Sequence, residues 1–186
     1  MIRVLAISGS LRRDAWNRKV LRAAGELLPP DAELELWDGL RDVPPYDEDD
    51  DAEPAPAAVA AFRDAIAGAD AILVSTPEYN HSIPGALKNA IDWASRPVAT
   101  NPLRNRPVAV VGASTGAFGA VWSQAELRKV LAATGARVVE GEVAFGHAHT
   151  RFDADGNLVD DRLREQLAEV VENLVEAART RMAAAA

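Results

Sequence analysis

The chain alternates continuous apolar runs with stretches in which apolar residues recur every three or four positions. The first run, Ile2 to Ser8, is apolar on both faces, which is typical of a strand inside a parallel sheet. Four more strands are predicted, namely "AELELWD" from Ala32, "DAILVST" from Asp70, "PVAVVGAS" from Pro107 and "ARVVEGEVAF" from Ala136. The last of these should be irregular at Gly141, because glycine inside a strand marks a bulge or a bend.

Segments in which the apolar residues recur at helical spacing lie between these strands and after the last of them. The predicted helices cover the segments 20–28, 59–67, 84–94, a stretch ending near Thr134 before Gly135, and 163–175 after Asp160. Strands that alternate with helices in this way predict an α/β fold, a doubly wound parallel sheet of five strands with helices on both faces. Residues 1–186 should form one domain, because a chain of this length buries a sizeable core.

The common strand order for five strands is 2-1-3-4-5, and its ligands bind at the carboxyl ends of the strands near the β1/β3 switch point. Three unusual loops leave strands at that edge, after Ser8, after Thr76 and after Ser114. We therefore expect all three loops to open onto one rim.

The first loop, "GSLRRDAWN", joins a strand to the start of a helix, where free N–H groups and the helix dipole favour an anion. Ser10 and Asn17 can donate hydrogen bonds, and Arg12 can offer its fork to phosphate oxygens. The loop is neither GxGxxG nor a nucleotide P-loop, so one terminal monophosphate is the ligand it favours. The alternative is structural: Asn17 or Asp14 caps the helix, and the arginines are only solvated.

The other two loops offer surfaces rather than charges. In "PEYN", Pro77 stiffens the chain and Tyr79 presents a ring; the alternative is a turn with a half-buried tyrosine. In "STGAFG", small residues leave space for a flat ligand; the alternative is a glycine-rich helix entry.

Composition narrows the choice of function. The absence of cysteine excludes disulfides, a thiol nucleophile and Cys-ligated metal sites, and the pair His147 and His149 lacks a nearby third ligand, so no metal is expected. A net charge of −8 argues against nucleic acid and anionic membranes as partners. The first ten residues turn polar too early for a signal peptide, and no apolar run approaches the ~20 residues of a membrane helix. We expect a cytoplasmic protein.

The motifs GSLRxxxxN, PEYNxSIPGxLKNAIDW and SxGxxG together resemble the NADPH-dependent FMN reductase family, which includes chromate, quinone and azo-dye reductases. The resemblance spans most of the chain, and Pro77 to Trp93 is its most specific part. It implies a flavodoxin-like fold, one FMN bound without a covalent link, and NADPH or NADH as co-substrate.

The resemblance also implies which residues bind the cofactor. Ser10, Arg12 and Asn17 would hold the phosphate, the second loop would line the flavin edge mostly through its backbone, and the third would approach the pyrimidine end. The implied set is Ser10, Arg12, Ala15, Trp16, Asn17, Pro77, Glu78, Tyr79, Asn80, Ser114, Thr115 and Gly116. Many members have serine where this chain has Ala15, and phenylalanine is common where it has Trp16. No catalytic side chain is implied, because flavin N5 carries the chemistry.

The implied function is an NAD(P)H-dependent, FMN-containing oxidoreductase that reduces flavin, quinone or similar small-molecule acceptors by two-electron, ping-pong hydride transfer. The alternative is a flavodoxin-type electron carrier without NAD(P)H oxidation, which the motif PEYN…LKNAIDW disfavours because carriers usually build more aromatic flavin walls. The physiological acceptor and the choice of NADPH or NADH stay open. A homodimer or homotetramer is expected, with the helix from Ser82 to Ser95, including Trp93, in the subunit boundary.

Overall fold

The computed structural model describes residues 1–184. Its strands are β1 (Ile2–Ser8), β2 (Ala32–Trp37), β3 (Ala71–Thr76), β4 (Pro107–Ala113), β5 (Arg137–Val138) and β6 (Ala144–Phe145). Its helices are α1 (Trp16–Glu26), α2 (Ala57–Gly68), α3 (Gly85–Ala94), α4 (Val121–Ala133) and α5 (Asp161–Ala183). Short 3₁₀ turns lie at Gly39–Asp42, Glu48–Asp50, Val98–Thr100 and Ala148–Thr150.

The strands form one parallel sheet in the order β2-β1-β3-β4-β5, with β6 also paired to β4. The predicted doubly wound order is confirmed. The predicted fifth strand is present as two short pieces, β5 and β6, which pair with opposite ends of β4. The carboxyl ends of β1, β3 and β4 lie side by side in the middle of the sheet, which brings the three loops together.

The break between β5 and β6 follows from local geometry at Gly141. This residue has φ +124°, and a Cβ there would lie 2.7 Å from Cγ2 of Val170 on α5. Arg128 on α4 donates a hydrogen bond to the Gly141 carbonyl, which holds the interruption in place. The expected irregularity at Gly141 is therefore confirmed, and it is large enough to divide the strand.

Successive residues of the central strands point to opposite faces of the sheet, and each face carries its own core. On β1, Val4 and Ala6 join one core, which α1 and α5 cover. Leu5 and Ile7 join the other core, which α2, α3 and α4 cover. Because β1, β3 and β4 are buried on both sides, their ends are rigid supports for the loops that follow them.

The acidic loop that follows Gly39–Asp42 packs onto α3. The Trp93 indole N–H donates to the Pro44 carbonyl at 2.9 Å, and Tyr46 meets the Trp93 ring edge-on at 4.8 Å between centroids. Trp93 is fully buried inside its own chain. The expectation that Trp93 lies in a subunit boundary is therefore wrong, because the loop from Pro44 to Tyr46 covers it.

Within residues 1–184, no helix combines the length and the apolar character that crossing a bilayer requires.

Candidate functional site

A cavity lies at the carboxyl edge of the sheet, between the loops that follow β1, β3 and β4. Its lining residues are Ser10, Arg12, Ala15, Trp16, Asn17, Pro77, Glu78, Tyr79, Ala113, Ser114 and Thr115. Ten of the twelve residues predicted from the sequence are in this set. Asn80 and Gly116 are not, although each adjoins a lining residue in the chain, and Ala113 was not predicted.

The floor of the cavity at its first loop is the start of α1. Ala15 occupies the N-cap position, makes no side-chain cap, and no acidic residue lies in the first turn. The first N–H groups of a helix have no partner within it, so those of Trp16 and Asn17 remain available as donors. Together with the helix dipole they make the end of α1 a site for an anion.

The first loop adds a hydroxyl and a guanidinium to these N–H groups. Ser10 is buried, and its Oγ accepts the Arg12 N–H at 3.4 Å. The Arg12 side chain is exposed and forms no ion pair within the described part of the chain. Arg18 differs, because its guanidinium bonds to Asp38 and lowers the pKa of that carboxyl. The positive charge that faces the cavity is therefore that of Arg12.

The loop can pass close to its neighbours because Gly9 follows β1. A Cβ on Gly9 would lie 2.9 Å from Cδ2 of Leu87 and 3.1 Å from Cδ of Pro77. A larger residue would press on Leu87 and Pro77, so glycine lets the first loop pass close to the start of the second.

The Asn17 side chain joins α1 to the ends of two strands. Its Oδ1 accepts the Ala113 N–H at 3.1 Å and the Ser75 hydroxyl at 2.8 Å, and its Nδ2 donates to the Ala113 carbonyl at 3.2 Å. Asn17 is 3% exposed. Since these bonds engage the amide inside the protein, what Asn17 chiefly offers the cavity is its backbone N–H.

The Glu78 side chain joins the second loop to α4. Its Oε2 accepts the N–H groups of Trp122 and Ser123 at 3.0 and 3.1 Å. Ala120, the N-cap residue of α4, makes no side-chain cap, so Glu78 supplies the cap from 44 residues away in sequence. A carboxylate at this end of α4 is also favoured by the helix dipole.

Buried hydroxyl groups strengthen the same junction below the loops. The Thr76 hydroxyl donates to the Pro77 carbonyl at 2.7 Å, so the Ser123 hydroxyl, 2.9 Å away, must donate to Thr76. Both side chains are fully buried. The end of β3 and the first turn of α4 are thus held together by Glu78 above and this pair below.

The third loop is fixed by the segment around β6. The Ser114 N–H donates to Phe145 and the Ser114 carbonyl accepts from Ala148, at 3.1 and 3.0 Å. The Gly116 carbonyl accepts the His147 N–H at 2.9 Å. Gly116 therefore supports the loop from outside the cavity.

Left-handed backbone is concentrated around this edge of the sheet. Among residues 1–184, five non-glycine residues have positive φ, and four of them, Asn80, His81, Ala120 and His147, lie in or against the second and third loops. Such conformations cost energy in residues with a Cβ and are found preferentially at functional sites.

The donors and walls of the cavity fit FMN. At one end are N–H groups, the Ser10 hydroxyl and the Arg12 guanidinium, a set suited to the oxygens of a phosphate. At the other end, the second and third loops form two walls, and a flat ring system can lie between them. The lining therefore has phosphate donors at one end and ring-sized walls at the other, which is the arrangement that the phosphate and the ring of FMN would require.

The roles of Asn17 in joining strands and of Glu78 in capping α4 were not predicted. Nothing near Asn17 in sequence indicates Ala113 as its partner. A signal for Glu78 does exist, because α4 begins after Gly119 and Ala120, neither of which can cap it through a side chain. The first N–H groups of such a helix need a partner from elsewhere, which can be another side chain, water or a ligand.

Comparison with known proteins identifies the family of the chain. The profile of the NADPH-dependent FMN reductase family matches residues 2–150. An NAD(P)H-dependent FMN reductase of Pseudomonas aeruginosa is 44% identical over 174 residues, which cover 93% of each chain. A 2-hydroxy-1,4-benzoquinone reductase of a Burkholderia species is 38% identical, with 89% of this chain and 90% of the relative covered.

A solved structure agrees with these relatives. The flavoenzyme FerB of Paracoccus denitrificans, an NAD(P)H:(acceptor) oxidoreductase, superposes with a TM-score of 0.87 and is 35% identical. The match covers 97% of this chain and 99% of FerB. The flavodoxin-like fold expected from the sequence is confirmed.

Removing the Asn17 amide should destabilise the protein even without a ligand. In Asn17→Leu, the Ser75 hydroxyl and the Ala113 N–H and carbonyl lose their partner in a buried site, so the free energy of unfolding should fall by about 2–4 kcal/mol. Urea unfolding of the FMN-free protein measures this. Asn157→Ala removes an amide from an exposed turn and should cost less than about 1 kcal/mol. Equal losses in the two variants would contradict the joining role.

Removing the Glu78 carboxylate should loosen the start of α4. In Glu78→Ala, the amide hydrogens of Trp122 and Ser123 should exchange faster with solvent, and unfolding should become easier by about 1–2 kcal/mol. Glu78→Gln keeps an acceptor and should lose less. The control is Glu126→Ala, a nearby exposed carboxylate on α4 that does not bond these amides. If Glu126→Ala speeds exchange at Trp122 and Ser123 as much, Glu78 is not the cap.

Proposed function

The chain belongs to the NADPH-dependent FMN reductase family, and we propose that it uses one non-covalently bound FMN to pass two electrons from NAD(P)H to a small acceptor of the flavin or quinone type. The observation that carries this proposal is the shared cavity of the three loops, whose lining is divided between phosphate donors and ring-sized walls.

Binding of the phosphate is assigned to the first loop. The N–H groups of Trp16 and Asn17, the Ser10 hydroxyl and the Arg12 guanidinium would hold it at the start of α1. Ala15 has no hydroxyl to contribute where many family members have serine. Its lack of a side-chain acceptor leaves the first-turn N–H groups to the phosphate, which then caps the helix itself.

Binding of the ring is assigned to the second and third loops. Pro77 to Asn80 would line one edge, mostly through backbone groups, while Ser114 to Gly116 would face the pyrimidine end. Glu78 acts indirectly in this arrangement, because its bonds to α4 keep the two walls at a fixed separation. FMN when bound supplies the hydride chemistry, and the protein supplies position and electrostatics.

The overall reaction is balanced without a nucleophile from the protein. The nicotinamide gives up a hydride, and a quinone takes up two electrons and two protons, of which the second proton comes from solvent. Because all three loops line the same cavity, we propose that NAD(P)H and the acceptor use this space in turn.

The flavodoxin-type electron carrier is not supported as the function. The relatives that match nearly the whole chain are named as reductases that act on FMN or quinones or use NAD(P)H. We further propose that residues 1–186 act as a single FMN-binding domain, in the cytoplasm, where reduced nicotinamide nucleotides are available. The homodimer or homotetramer stays a prediction, and Trp93 is no longer expected in the interface between subunits.

Loss of the Arg12 guanidinium should weaken FMN binding without unfolding the protein. Arg12→Ala should raise the dissociation constant of FMN about 10- to 150-fold, the worth of a charge-assisted hydrogen bond. Calorimetric titration of FMN into the FMN-free protein measures this. Arg22→Ala removes an exposed charge from the middle of α1 and should leave FMN affinity unchanged. If Arg12→Ala lowers the free energy of unfolding of the FMN-free protein as much as that of the FMN complex, the role of Arg12 is structural instead.

Steady-state kinetics test the proposed function as a whole. The FMN-loaded protein should oxidise NADPH or NADH with 1,4-benzoquinone as acceptor, and double-reciprocal plots should give parallel lines because the two substrates bind alternately. Mixing with NAD(P)H alone, without oxygen, should bleach the visible flavin absorbance, and quinone should restore it. Failure of both nucleotides to bleach the flavin would return the protein to the electron-carrier class.

A further inference from the structure

Three aromatic residues form a cluster beside the cavity, which we call the aromatic rim: His81, Phe118 and Trp122. The Trp122 ring meets His81 edge-on at 4.7 Å and Phe118 edge-on at 5.1 Å between centroids. Phe118 is 63% exposed and Trp122 is 43% exposed. Single exposed apolar residues need no explanation, but three rings in contact form a continuous surface.

The aromatic rim is held by the loops of the cavity. Trp122 is on the first turn of α4, and its N–H is one of the two that Glu78 accepts. His81 directly follows Asn80, and the Tyr79–Ser82 bridge closes the turn that contains both. Phe118 lies three residues after the lining residue Thr115. His81 and Phe118 are thus attached to loops that line the cavity, and Trp122 is on the helix that the lining residue Glu78 caps.

The backbone that presents these rings is itself unusual. His81 has φ +60°, and Ala120, between Phe118 and Trp122, has φ +65°. Non-glycine residues adopt such angles at a cost in free energy. Here the bonds of Glu78 to α4 and of the third loop to the β6 segment hold the backbone in this conformation. The rings are presented by a fixed framework.

The exposed area of the aromatic rim limits what can cover it. A whole aromatic side chain offers about 150–250 Å², so Phe118 and Trp122 together leave about 200 Å² open, to which the exposed His81 ring adds. A stable dimer buries about 800 Å² on each partner, several times this area. The open surface is instead comparable to the surface of a single ring system, and edge-to-face and stacked contacts are how ring systems pair.

We propose that the aromatic rim binds the ring of an aromatic acceptor of the quinone type as it enters the cavity. This inference rests on the proposed function and deepens it, because it assigns acceptor preference to Phe118 and Trp122. Acceptors without a ring gain nothing from this surface, so the aromatic rim discriminates between acceptors by their π-surface.

The test compares Trp122→Ala, Trp122→Phe and Phe118→Ala with Val98→Ala, which removes an exposed apolar side chain from the Val98–Thr100 turn. The FMN-loaded, oxidised proteins are titrated with 1,4-naphthoquinone in a calorimeter without NAD(P)H. Trp122→Ala should raise the dissociation constant about 5- to 15-fold, Phe118→Ala about 2- to 10-fold, and Trp122→Phe less than 3-fold. Val98→Ala should not change it.

Turnover provides the second readout. The ratio of kcat/KM for naphthoquinone to that for hexacyanoferrate(III), an acceptor without a ring, should fall about 5-fold or more in Trp122→Ala and recover in Trp122→Phe. A fall of equal size for both acceptors, or unchanged quinone binding, would overturn the inference. So would a change of oligomeric state in light scattering with unchanged quinone binding, which would assign the aromatic rim to contact between copies.

The two proposals fail in different ways. If the wild-type protein reduces quinones and the variants bind naphthoquinone as it does, only the role of the aromatic rim is wrong. If the wild-type protein neither binds FMN nor oxidises NAD(P)H, the proposed function is wrong, and the acceptor role falls with it.

Discussion

The site depends on one buried amide. Asn17 is part of the first turn of α1, yet its side chain bonds to β3 through Ser75 and to β4 through Ala113. The helix that would provide the phosphate donors is therefore fixed to the two strands whose loops would form the ring walls. Without this connection the start of α1 would be positioned only by the packing of the helix, and its distance from the second and third loops would vary with that packing.

Glu78 repeats the same arrangement on the other side of the cavity. The Glu78 side chain, from the second loop, supplies the acceptor that the first turn of α4 lacks, so this loop and this helix are fixed to each other. The N-cap residues of α1 and α4 make no side-chain cap, and neither do those of α2 and α3. At α4 Glu78 supplies the acceptor, and at α1 the open donors would be left for the phosphate of FMN under the proposed function.

Much of this could be predicted from local sequence. The buried strands were recognised because β1, β3 and β4 are apolar on both faces, and their loops identified the carboxyl edge. What could not be predicted were the connections between distant residues: Asn17 with Ala113, which are 96 positions apart, and Glu78 with Trp122. The burial of Trp93 could not be predicted for the same reason, since Pro44, whose carbonyl accepts its indole N–H, is 49 positions away in sequence.

The uncapped start of α1 links the amount of protein to the supply of its cofactor. A ligand that binds only the folded chain stabilises it by RT ln(1 + [L]/Kd), and here that ligand also completes a helix. A cell that is short of riboflavin would therefore keep less of this chain folded, with the remainder exposed to proteases. Flavin status would set both how much enzyme is loaded and how much enzyme survives.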